Sequence, residues 1–165
     1  MDRDQALTEL LEREQIRELA TRYSIAADSR DFDSLVLLFD PEVDNGRLGK
    51  GRAATKLYYE RLLGAMADGA VLHFVANHQI DFVDDTHAIG ICYVRAVAGS
   101  EGRWSDIAAV YVDDYVKRDG AWFFARRKPS DLQRLTFDQP RSIGKVSLAD
   151  AWAEHRQRQA QLREA

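Results

Sequence analysis

At 165 residues, with 45% hydrophobic and 30% charged side chains, the chain has the size of one domain and the composition of a soluble globular protein. A formal net charge of −4 offers phosphate backbones no general attraction, and no apolar run reaches the roughly 20 residues of a membrane helix, so neither nucleic acid nor membrane is an expected partner. The single cysteine, Cys92, cannot form an internal disulfide, no CxxC or HExxH spacing marks a metal site, and the charged start MDRDQALTELLERE lacks the features of a secretory signal. The expected address is the cytoplasm.

Leu7, Leu10, Leu11, Ile16, Leu19, Ala20, Tyr23 and Ala27 recur at steps of three and four, which predicts an amphipathic helix from about Asp4 to Ala27 with Tyr23 on its inner face. In an unbroken helix a residue five positions on is rotated by about 140°, so Asp28 can approach Tyr23 only from the last turn or beyond it. The break at DSRD supplies that end. Asp31 then caps a short helix carrying Leu35, Leu38 and Phe39, which Pro41 stops. EVDNGRLGKG reads as a short strand and a glycine-rich turn, and RAATKLYYERLLGAMA as a third helix with Ala54, Leu57, Tyr58, Leu62 and Met66 inside.

From residue 71 the pattern changes. AVLHFVANHQIDFV, HAIGICYVRAVA, SDIAAVYVDDYVK and AWFFARRK are rich in β-branched and aromatic residues and are bounded by turn signals at Asp84-Asp85, Gly99 to Gly102 and Asp119-Gly120. They predict four strands in an antiparallel meander. Helices first and strands afterwards define an α+β domain whose helices cover one face of a curved sheet. SLADAWAEHRQRQAQLREA, opening on a Ser147/Asp150 capping box, predicts a last helix with a thin apolar side of Leu148, Ala151, Trp152 and Leu162.

If Asp119-Gly120 is a two-residue type I′ turn, Arg118 faces Ala121, Lys117 faces Trp122, and counting outward places Asp113 opposite Arg126. Tyr111, Tyr115, Trp122 and Phe124 share that face. The other carries Val110, Val112, Val116, Phe123 and Ala125, so hydrophobicity does not decide which is inner, and a second subunit is expected over the outer one.

The order RYSIAADSRDFDSLVLLFDP, HFVANHQIDFVDD, YVDDYVKRDGAWFFARR resembles the SnoaL-like branch of the nuclear transport factor 2-like superfamily, which includes scytalone dehydratase and bile acid 7α-dehydratase, over roughly residues 5–130. The resemblance implies a cystatin-like α+β barrel: a cone of curved, mixed or antiparallel sheet wrapped around the long helix, with an apolar pocket open at one end. It divides the chain into a barrel domain, 1–130, and an extension with a terminal helix, 131–165, within the same domain or at an oligomer interface. It also implies a homodimer or homotrimer, no cofactor, and a catalytic set in which Tyr23, Asp28 and His73 match the pocket tyrosine, aspartate and histidine, with Asp113 as a further polar residue. Tyr111, Tyr115, Trp122, Phe124 and Arg126 are then the candidate substrate-pocket residues.

Such a set suits dehydration beside a carbonyl. That reaction needs a base for the α-proton, an acid for the departing hydroxyl and a donor for the enolate oxygen. His73 would shuttle the proton, Asp28 would hold its tautomer, and Tyr23 would polarise the carbonyl. Structural readings compete: Tyr23 as a core phenol, Asp28 as a helix end, His73 as a strand histidine, Asp113–Arg126 as an ion pair. Regular alternation aligns His78 with Ile80 and Phe82, and no third ligand with zinc spacing joins His73 and His78. The expected function is a cofactor-independent lyase (dehydratase) or isomerase acting on a small hydrophobic carbonyl-bearing ring compound. The alternative is a non-catalytic binding or assembly subunit of the same fold, such as a dioxygenase β-subunit-like protein; epoxide hydrolysis using Asp113 and Arg126 ranks last.

Overall fold

The computed structural model describes residues 2–64, 70–100, 103–138 and 148–164. The first helix, α1 (Arg3–Asp28), starts with a capping box between Asp2 and Gln5. Ser29 closes its carbonyl end, and Arg30 at φ 58 turns the chain out of the helix. A second helix, α2 (Phe32–Leu37), is capped by the Asp31 side chain. A single 3₁₀ turn at Gly46–Leu48, bracketed by the Asp44–Lys50 bridge, leads to α3 (Gly51–Gly64). Four strands follow, β1 (Ala70–Phe82), β2 (His87–Ser100), β3 (Arg103–Arg118) and β4 (Ala121–Asp138), then α4 (Leu148–Glu164).

The strands pair as an antiparallel meander in the order β1-β2-β3-β4, as the sequence predicts. Asp119 and Gly120 both take positive φ, 50 and 81, the requirement of a type I′ turn. β4 runs past the predicted end at Lys128 to Asp138, across the boundary set at residue 130. Beside its first half, Asp40 N–H donates to the Phe124 carbonyl and Phe124 N–H to that of Leu38, both at 2.9 Å, so a short parallel bridge covers the strand edge.

Packing settles which face is inner. Ile16, Leu19, Ala20, Tyr23 and Ala27 of α1 pack with Ile80, Cys92, Tyr111, Tyr115 and Phe124 in one buried core. The aromatic face of β3 and β4 is therefore the inside. The opposite face leaves Leu72, Phe74, Ile89, Ile91, Tyr93 and Val112 exposed, in keeping with the expectation of two apolar sheet faces.

Three predicted positions shift. Leu7, Leu10 and Leu11 are each more than half exposed, because the first half of α1 lies outside the buried core. In α3 the buried stripe is Thr55, Tyr59 and Leu63 rather than Leu57 and Leu62, since the Tyr59 ring reaches Tyr23 and Phe39 and sets the helix's rotation; Met66 lies outside the described residues. In α4 the described side chains are exposed except Trp152, which is half-buried, and Ser147 of the expected capping box is outside the described residues. No helix among the described residues is long and apolar enough to cross a membrane.

Three β-bulges interrupt the ladders, one of them at Leu132 in β4 between the partners of Ala108 and Ala109, and the other two set what the sheet shows to the core around α1. Ala76 pairs with Tyr93 and His78 with Cys92, so Asn77 is the extra residue in β1. Asp114 pairs with Arg126 and Tyr115 with Phe124, so Ala125 is extra in β4. Each bulge advances its strand by one residue and inverts the facing beyond it as far as the next bulge.

Candidate active site

Asp28 is the last residue of α1, where the helix end meets β1. Its Oδ2 accepts the His73 backbone N–H at 2.8 Å, and its Oδ1 lies 2.5 Å from His73 Nδ1. Side-chain exposures of 6% and 10% keep the pair largely from water. A carboxylate only accepts, so Nδ1 carries the hydrogen, while Nε2 bonds no described residue. In the neutral imidazole this fixes one tautomer and leaves the lone pair on Nε2.

Tyr23, five residues before Asp28, brings its ring to 6.4 Å from that of His73 and within 5.7 to 6.1 Å of those of Tyr111, Tyr59 and Phe124. Burial, reinforced by Tyr59, pushes its phenol well above the usual range; Tyr23 stays protonated and is a hydrogen-bond donor. The phenols of Tyr59, Tyr111 and Tyr115 are raised by burial in the same way.

The fourth component is Arg127. Because of the Ala125 bulge it stands opposite Asp113, while Arg126 stands opposite Asp114. The expected Asp113–Arg126 rung does not form. Arg126 is instead 54% exposed, 3.5 Å from Asp114, at the rim of a cavity of about 190 Å³ that Phe39, Val43, Tyr58, Tyr59 and Arg127 also line.

Arg127 is 1% exposed, and its guanidinium carbon lies 4.4, 3.8 and 4.5 Å from the ring centroids of Tyr23, Tyr111 and Phe124. Nη1 is 3.5 Å from Oδ2 of the fully buried Asp113, yet Nε, Nη1, Nη2 and Asp113 Oδ1 make no hydrogen bond to a described residue. Desolvation works against this charge, and Asp113 and the phenols around it outweigh that cost, so the guanidinium remains protonated. A buried cation whose donors no described residue uses, beside a cavity, is chemically able to meet an acceptor there.

A second hydrogen-bonded set extends from it. Tyr115 Oη donates to Asp113 Oδ2 at 2.9 Å, and His78 Nε2 lies 2.9 Å from Tyr115 Oη. Burial raises the Asp113 carboxyl to about 6, even with Arg127 beside it. Burial, then the charges of Arg127 and Arg17, lowers His78 to about 4. Tyr115 fits because β2 has no side chain there: a Cβ on Gly90 would come within 2.8 Å of the Gln79 carbonyl and 3.1 Å of the Tyr115 ring.

Of the predicted residues, Tyr23, Asp28, His73, Asp113, Tyr111, Tyr115 and Phe124 come together. Trp122 does not: it faces inward but packs on Phe82 at 5.8 Å and donates its indole N–H to Glu12, lining a separate groove beside the start of α1. Arg127 and His78 are what sequence reasoning missed. His73 and Ile80 are both inner residues seven apart, an odd spacing that strict alternation forbids, and that was the available sign of a bulge between them. Among the described residues no group of three or more His, Cys, Asp or Glu could hold a metal ion.

A long helix seated on the inner face of a four-stranded antiparallel meander, with a buried polar set at its carboxyl end, defines a cystatin-like α+β protein of the nuclear transport factor 2-like superfamily. The chain belongs to the SnoaL-like domain family, whose match spans residues 8–128. Among solved structures it is similar to a Novosphingobium aromaticivorans protein carrying the provisional name scytalone dehydratase, at 27% identity and TM-score 0.69 over 83% of this chain and 93% of that one. Another protein of N. aromaticivorans, described as nuclear transport factor 2-like with a cystatin-like fold, is also 27% identical, with TM-score 0.64 over 77% of this chain and 86% of its own. The hexachlorocyclohexane dehydrochlorinase LinA-type3 of Novosphingobium barchaimii shares the fold at 21% identity and TM-score 0.75, over 84% of this chain and 99% of that one. No curated protein sequence matches.

Proposed function

We propose that the protein is a cofactor-independent lyase that removes a proton and a leaving group from adjacent carbons of a small hydrophobic ring compound. The observation that carries this is that a base held by a carboxylate, His73 on Asp28, and a buried guanidinium, Arg127, both lie close to the Tyr23 ring. His73 Nε2 takes the proton; the C–H electrons form the new double bond; the leaving group departs with its own electrons toward Arg127, as chloride or, taking the proton back from the His73 imidazolium, as water. Asp28 stabilises the imidazolium formed on His73, and Tyr23 donates to a substrate oxygen. A carbonyl beside the C–H lowers the barrier by holding charge as an enolate, so β-hydroxy ketones suit the site. Chlorinated rings are worth including because a relative in fold is named as a dehydrochlorinase.

The exposed apolar face of the sheet supports a homodimer or homotrimer in which a second copy covers Leu72, Phe74, Ile89, Ile91, Tyr93 and Val112. A homo-oligomer that purifies without a larger partner favours the enzyme over the assembly-subunit alternative. The buried lone thiol of Cys92 is in keeping with a cytoplasmic setting.

The test is an ultraviolet absorbance screen of β-hydroxy ketones and chlorinated rings, with wild type beside His73→Ala. Turnover that falls by about 10²- to 10⁴-fold in the variant supports the reading. No turnover across the panel, or equal turnover by both proteins, defeats it.

A further inference from the structure

We propose that His78 and Tyr115 act through Asp113 as positioning residues for the Arg127 guanidinium, forming a directional hydrogen-bond chain whose polarity is set by the charge on Asp113. The inference deepens the reading above, since it takes Arg127 as the group that meets the substrate.

Each link follows from what its neighbour can do. As a carboxylate, Asp113 can only accept, so Tyr115 must donate to it. The Tyr115 hydrogen is then committed, and its oxygen must accept from His78, which places the imidazole hydrogen on Nε2. The chain holds one Asp113 oxygen with Tyr115 on one side and Arg127 Nη1 on the other. The guanidinium is thus held by charge and by three aromatic rings, with its hydrogen-bond donors left over for a ligand. Three features of the fold converge on this arrangement. The Asn77 bulge turns His78 inward, the Ala125 bulge turns Arg127 inward, and Gly90 leaves room for the Tyr115 ring.

Protonating Asp113 at Oδ2, the oxygen that meets Tyr115, reverses every link. The neutral carboxyl donates to Tyr115, Tyr115 donates to His78 Nε2, and the imidazole hydrogen moves to Nδ1. One proton is gained, at Asp113, and the change at His78 is a tautomer shift through solvent. The charged and titratable groups around the chain are Arg127 from β4, Arg17 from α1, Cys92 from β2, and Asp114 and Tyr111 on β3 itself. With Asp113 titrating near about 6 and His78 near about 4, there is an interval in which Asp113 is neutral and His78 is not yet an imidazolium.

Long-range ¹H–¹⁵N spectra of the ¹⁵N-histidine-labelled protein read the tautomer without any substrate. Wild type is expected to show His78 as Nε2–H at pH 7.5, as Nδ1–H near pH 5, and as an imidazolium only below that. Tyr115→Phe removes the relay and should abolish the switch. In the same samples labelled at arginine, the Arg127 Nε–H signal should shift or broaden in Tyr115→Phe and stay in place in His87→Gln, whose imidazole pairs with Asp84 on the surface. An ordinary histidine titration with mixed tautomers in wild type, which needs no variant to fold, overturns the proposal. An unmoved Arg127 signal in Tyr115→Phe overturns the positioning role. A silent substrate panel alongside the expected tautomer switch counts against the elimination reading alone.

Discussion

Two adjacent rungs of the β3–β4 ladder carry the same two residue types at the same separation. Arg126 lies 3.5 Å from Asp114 with side chains 54% and 43% exposed; Arg127 lies 3.5 Å from Asp113 with 1% and 0%. Distance therefore says little about what each does. The outer pair sits in water and is worth at most about 1 kcal/mol. The inner pair has surrendered its hydration without gaining full hydrogen bonding, an arrangement that stability alone does not favour. The same contrast recurs with histidine: Asp28–His73 is buried, and Asp84–His87 is more than half exposed.

The histidine pairs give the widest expected gap. His73→Ala should lower kcat/KM by about 10²- to 10⁴-fold on any substrate the screen finds, and His87→Ala should stay within about twofold. The ladder rungs come next, read by urea denaturation. Asp113→Ala should cost about 3–5 kcal/mol, because it strands the Arg127 charge in the core, whereas Asp114→Ala should cost less than about 1. Replacing both inner partners, Asp113→Leu with Arg127→Met, should recover most of that loss while abolishing turnover, which separates stability from function.

Glycines sharpen the contrast at a smaller scale. Gly90→Ala should cost about 1–3 kcal/mol because its Cβ meets the Gln79 carbonyl and the Tyr115 ring; Gly64→Ala, with open space at that position, should change stability by less than about 1. The smallest net effect is in the pH dependence of the wild type, because there the two inner groups oppose each other. Asp113 has a raised folded pKa, so its contribution is fully present below its unfolded value of 3.8 and is lost as pH rises through about 6. His78 has a lowered one, so its contribution is present above 6.5 and is lost as pH falls through about 4. Across pH 4–6.5 the stability gap between wild type and Asp113→Asn should therefore narrow with rising pH, while that between wild type and His78→Gln should widen. Denaturation midpoints at four pH values in that range would show whether the slopes have opposite signs.

Local signals in the sequence were enough to place the four strands and the type I′ turn, each through a short-range rule of strand composition or turn chemistry. The grouping of Tyr23, Asp28 and His73 comes from the resemblance to the SnoaL-like family; helical geometry alone requires only that Asp28 sit at the helix end. Arg127 escaped because its facing depends on a count carried from the Asp119-Gly120 turn. One uncounted residue, Ala125, reverses that count, and an alanine in a strand gives no sign that it is a bulge. The phase of α3 was misread for a related reason. Leu57 and Leu62 are the more hydrophobic choices, but contact with the Tyr23 ring decides in favour of Tyr59. His78 could have been recovered, since His73 and Ile80 cannot both face inward without a bulge between them.

The bulges at Asn77 and Ala125 also bear on how such proteins diverge. Gaining or losing one codon in a strand exchanges the residues that line the interior for those that had faced out, without altering the order or partners of the strands. Two descendants can thus keep the same chemical groups at the same point in space from different alignment columns, or keep the column and lose the group. For this architecture, equivalence between distant members is better assigned by counting from the bulge than from the nearest turn.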